Sequence, residues 1–176
     1  MTVRKYHPVL VVLHWLVGLL IVVQLAGGYF VVARIPNADP TKLETLKLHM
    51  LAGMFILLLM VIRFVVRMFT SHPPATESQK QGFGLLRTPV HIGLYLLVLA
   101  VIGAGFYTGY LISIVYATPG ALLPADLAQY PSRIIHVWLA LALFLLIVLH
   151  VAAAIKERMS GDKSILDRMG FGWRKD

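Results

Sequence analysis

Seven histidines stand in a chain of 176 residues that has no cysteine. Imidazole is the commonest side-chain metal ligand and binds through a neutral ring nitrogen. The missing thiols exclude disulfides, thiolate zinc sites, Cys-ligated iron–sulfur clusters and covalently attached c-type haem. Two histidines have a telling interval. His136 and His150 are 14 residues apart. On an α-helix that interval falls about 40° short of four full turns and rises about 21 Å. One helix would therefore show two imidazoles on one face, far apart along its axis.

Those rings need elements to hold them, and the composition says which kind. The chain is 59% hydrophobic and 14% charged, with a mean hydropathy of +0.79. A soluble domain is about 45–50% apolar and about 25% charged. A water-soluble fold of this length cannot hide so much apolar surface. The expected class is all-α: a single-domain integral membrane four-helix bundle over residues 1–176. Four apolar stretches, 9–33, 46–69, 89–113 and 132–155, are each long enough to cross a hydrocarbon core of about 30 Å. In lipid the backbone must satisfy its own hydrogen bonds, so these stretches are helices. The first is too long for a signal-peptide core and lacks a cleavage pattern, so it is expected to be retained.

The net charge of +8 reads as topology and not as nucleic-acid binding. Of the 16 Lys and Arg, all but Arg34, Lys42, Lys47 and Arg133 fall on one side, with the two tails and the loop after the second span. The positive-inside rule then places both termini in the cytoplasm. In a bacterium the loops at 34–45 and 114–131 would face the periplasm. His72-Pro73-Pro74 ends the second span, and 124–128 is a candidate short interfacial helix.

On this topology His14 and His150 share one depth, and His49 and His136 share the other. Ionisable groups at membrane depth are costly and mark functional sites. Two His–His pairs across a bundle make two axial ligand sets, each suited to the iron of a b-type haem. Gly18, Ala52, Gly53, Ala140, Ala142 and Ala152–Ala154 offer room beside a wide macrocycle, although small residues also serve plain helix packing. No zinc-like cluster of three or four ligands is spaced within a span. No carboxylate lies in an apolar core to form a proton relay. His91, also on the cytoplasmic side, competes with His14 as the partner of His150. Met50, Met54 and Met60 read as packing.

Several segments resemble the bacterial cytochrome b561 proteins. Tyr6-His7-Pro8 with Leu13-His14-Trp15-Leu16 is similar to that family's opening. Lys47-Leu48-His49-Met50-Leu51-Ala52-Gly53, followed by Arg63 and Arg67, is similar to its second helix. His91-Ile92-Gly93-Leu94-Tyr95 resembles the third, and His136 with His150-Val151-Ala152-Ala153-Ala154 the fourth. The resemblance covers essentially the whole chain. It implies two non-covalent b haems, with His14 and His150 on the cytoplasmic-side iron and His49 and His136 on the periplasmic-side iron. His91 then becomes a candidate for holding a haem propionate or a quinone.

The expected function is electron transfer between a periplasmic-side donor and the quinone pool, in a multi-pass protein of the bacterial inner membrane. The resemblance implies superoxide as one donor and ubiquinone as acceptor. Candidate substrate-site residues are His91 and Arg87 on one side and Lys42, Lys47 and Arg133 on the other. Propionate pairing, helix-end anchoring and snorkelling are the plainer roles for these cations. Two alternatives stay open. One is an electron-relay subunit that docks on a redox partner protein in a larger dehydrogenase or hydrogenase complex. The other is a membrane protein without haem, whose histidines only pack.

Overall fold

A computed structural model describes residues 5–71, 73–74, 87–114, 117–159 and 169–170. Among these, the elements are helical and none is a strand. The order is α1 (Pro8–Gly27), a π-helical turn (Gly28–Val32), α2 (Thr41–Phe69), α3 (Arg87–Leu111), a 3₁₀ turn (Leu127–Gln129) and α4 (Pro131–Met159). Four of these segments are long and apolar enough to cross a membrane: Pro8–Val32, Thr41–Phe69, Thr88–Leu111 and Pro131–Glu157. The all-helical, four-span expectation is borne out. The candidate helix at 124–128 is a 3₁₀ turn shifted to 127–129, and His72 lies outside the described residues.

Local chemistry fixes the helix starts. Pro8 and Pro131 open α1 and α4, where a missing N–H costs nothing. His7 Nδ1 accepts from the Val9 N–H at 3.3 Å and caps α1. α2 begins several residues before the apolar stretch at 46. Asp39 Oδ1 accepts from both the Thr41 N–H and the Thr41 hydroxyl at 2.8 Å, so the chain turns into helix there. These two bonds hold the Asp39 carboxyl below its ordinary value of 3.8.

The turn from α1 into α2 is tied by a cation. The Lys42 ammonium donates to the carbonyls of Val32 and Ile35, two acceptors left open where the first span ends. At the same end, Asn37 donates to the Pro124 carbonyl at 3.0 Å, and the Leu123 N–H donates to the Asn37 carbonyl at 3.3 Å. The loop after α1 and the loop before α4 are thereby stitched together. At the other end of α1, Tyr6, Leu10 and Val11 form a small cluster with Met169 against it, and the Trp15 indole donates to the Met169 carbonyl at 2.7 Å.

α1 packs chiefly on α2, and α3 on α4. Leu13, Val17, Ile56, Leu59, Met60, Val98 and Leu143 form a core between them. Large apolar side chains such as Leu19, Phe30, Leu58 and Trp138 stay exposed, as a lipid-facing surface requires. The apolar belts thus face outward, and the space between the helices is left for the histidines.

Candidate functional site

Four half-buried histidines meet in two pairs. The rings of His14 (α1) and His150 (α4) have centroids 6.2 Å apart and planes 70° apart. The rings of His49 (α2) and His136 (α4) have centroids 6.2 Å apart and planes 79° apart. One metal between two ring nitrogens, at about 2.0 Å from each, sets the ring centres about 6.2 Å apart, allowing about 1.1 Å from nitrogen to centre. Both pairs have that spacing.

The tautomer of His136 follows from its partner. Its Nδ1 lies 2.8 Å from the Val101 carbonyl oxygen, which can only accept. The proton is therefore on Nδ1, and Nε2 keeps its lone pair. A ligating histidine typically holds its second nitrogen this way. Gln24 donates to the His49 carbonyl at 2.8 Å and ties α1 to α2 at the same level.

The glycines near the rings differ in their surroundings. Gly18 and Gly53 lie one turn beyond His14 and His49, and a Cβ built on either meets nothing within 4 Å. Gly105 has the opposite surroundings. A Cβ there would lie 2.9 Å from the His136 ring, so only glycine lets α3 come so near. Among the described residues no three His, Asp or Glu gather as a metal cluster. The arrangement suits a macrocycle that brings four of its own ligands, and not a bare ion.

His91 is closer to His150 than the sequence alone implies. Their rings are 5.1 Å apart with planes 89° apart. His150 thus has two ring neighbours, His14 at a ligand-pair spacing and His91 edge-on and nearer. The other candidates divide. Lys42 is buried and committed to the two backbone carbonyls. Lys47 pairs with Glu44 at 3.3 Å and donates to the Ala117 carbonyl at 3.1 Å. Arg133 is half-buried, and its charge acts on His49 and His136. Arg87 opens α3, with its side chain outside the described residues.

By sequence Arg63 is one of the cytoplasmic-side cations, an anchor or a propionate partner, and the structure buries its side chain. It donates to the Tyr95 hydroxyl and stacks on that ring at 5.7 Å. Its Nε has no hydrogen-bond partner among the described residues. Its charge acts on His14 and His150.

Comparison with known proteins gives a family and a relative. A family described as prokaryotic cytochrome b561 matches residues 5–172. The chain is 26% identical over 178 residues to cytochrome b561 homolog 2 of Escherichia coli (strain K12), covering 96% of this chain and 92% of that protein. No solved structure matches.

Proposed function

Because the chain belongs to the prokaryotic cytochrome b561 family, a group of multi-pass membrane cytochromes that carry haem b and transfer electrons, we propose that it holds two haems in line across the bilayer. His14 and His150 hold one, and His49 and His136 hold the other. The observation that carries this reading is the common 6.2 Å spacing of the two pairs. A b haem held by each pair would supply reversible one-electron chemistry there.

The protein's own residues do the rest. The Val101 carbonyl fixes the His136 tautomer and steadies that ring. α4 sets the two layers about 21 Å apart through its 14-residue interval. Apolar side chains of the core, such as Ile56 and Leu143, keep water from the region between the layers. Both termini lie in the cytoplasm, so the His49–His136 layer lies toward the periplasm of the inner membrane. At that end Arg133 and Lys47 supply positive charge that draws small anions inward.

The reaction that suits this layout takes electrons from a small donor such as superoxide and delivers them to ubiquinone. Two superoxide ions give two dioxygen molecules and two electrons, and with two protons these reduce ubiquinone to ubiquinol. His91, beside His150, and Arg87 at the start of α3 are the candidates for the quinone end.

The visible spectrum of the reduced, purified protein tests the haem assignment. We expect a Soret band and a sharp α-band, and about half the haem in each of His14→Ala, His49→Ala, His136→Ala and His150→Ala. Full haem in any of these variants would sink the ligand set. For the reaction, the intact protein in detergent is given superoxide and a ubiquinone analogue. Quinone reduction no faster than the spontaneous rate would remove superoxide as donor.

A further inference from the structure

All four spanning segments repeat the 14-residue interval, and in three of them the residues at its two ends differ. α1 and the turn that continues it carry His14 and Gly28, α2 carries His49 and Arg63, α3 carries His91 and Gly105, and α4 carries His136 and His150. Contacts sort these residues into two layers. A Cβ on Gly28 would lie 3.4 Å from the His49 ring, and one on Gly105 2.9 Å from the His136 ring. That layer is two histidines and two glycines.

The other layer fills the equivalent places with His91 and Arg63. His91 sits against His150. Arg63 is one bond from Tyr95, which stands one turn beyond His91 on α3. Among the described residues no carboxylate pairs with Arg63, and its Nε is unpartnered. A buried cation without an anion acts strongly on its neighbours, because little water screens it. At the glycine-bearing end the cations are differently held: Lys42 is spent on the Val32 and Ile35 carbonyls, Lys47 is paired with the Glu44 carboxylate, and Arg133 is half-buried in the first turn of α4 at the membrane edge, where water and salt screen it more.

We propose that Arg63, steadied by Tyr95, makes the His14–His150 layer the resting place of the electron, by raising the reduction potential of a centre held there above that of one held by His49 and His136. This rests on the two-haem reading. The layers then differ by design: where one has glycine, the other has a fixed positive charge that favours the added electron.

The test is an optically monitored redox titration of the full chain loaded with haem. The higher-potential component is expected to vanish in His14→Ala and to persist in His49→Ala. Arg63→Gln is expected to lower that component by about tenfold in its reduction equilibrium, about 59 mV for one electron. The other component is expected to move by less than a third of that. Arg63→Lys keeps the charge and is expected to recover most of the shift.

The proposal is overturned if the higher component vanishes instead in His49→Ala, a result that needs no Arg63 variant. It is overturned if Arg63→Gln moves both components alike or neither. It is also overturned if Arg63→Gln empties that layer of haem while Arg63→Lys leaves the potentials unchanged, since Arg63 would then only hold an acid group of the cofactor. A chain without haem would sink the underlying reading and this proposal together. Two haems with unmoved potentials would sink this proposal alone.

Discussion

At the residue scale, glycines separate two kinds of room. Gly18 and Gly53 border open space, and the polypeptide alone has no reason to reject a side chain there. Gly18→Leu and Gly53→Leu are expected to keep the helical circular dichroism. Each should lose haem from its own layer, the His14 layer for the first and the His49 layer for the second. Haem per chain, measured by the pyridine haemochrome, checks this. Gly105→Ala is different, because its Cβ meets the His136 ring. Overpacking of this kind costs about 1–3 kcal/mol. It should disturb the His49–His136 centre and spare the other, as a shifted α-band would show. The four paired histidines were legible in the sequence because interval and depth bear on them directly. Whether His14 or His91 pairs with His150 was not, since both lie at one depth and only packing separates them. The sequence marks Arg63 as an anchor or propionate partner but not its burial or its bond to Tyr95, which lies 32 residues away on another helix.

At the element scale, hydropathy found the four spans but not their ends. The apolar stretch began at 46, whereas α2 begins at Thr41. Hydropathy does not register Asp39, whose two bonds from Thr41 start the helix. Since the folded carboxyl is held below 3.8, its contribution is present above that pH. It is lost as pH falls through the lowered folded value. The stability gap between the native chain and Asp39→Asn should therefore be full at pH 6 and shrink below pH 3.8, as read by thermal unfolding in detergent. Lys42 has the complementary part at the end of the first span. Lys42→Met leaves the Val32 and Ile35 carbonyls without their donor. Leaving a buried acceptor unsatisfied costs about 1–3 kcal/mol. The loss of stability should come with little change in the His14–His150 spectrum, because Lys42 is at the opposite end of α1.

At the scale of the whole molecule, the charge asymmetry supports an orientation that labelling can test. The chain has no cysteine, so a single introduced thiol is unambiguous. Thr118, exposed in the loop before α4, and Ser71, exposed just after α2, lie at opposite ends of the bundle. Thr118→Cys should react with a membrane-impermeant maleimide in spheroplasts, and Ser71→Cys only after lysis. The reverse pattern would invert the topology and exchange the proposed donor and quinone ends. The arrangement of ligands among the helices also bears on biosynthesis. α4 gives one ring to each pair, and it follows α1, α2 and α3 along the chain. While α1 and α2 emerge from the ribosome they carry only one ring of each pair. On the proposed two-haem reading, neither centre can close until the fourth span is in the membrane, so cofactor loading would wait for that last insertion and then complete both sites together.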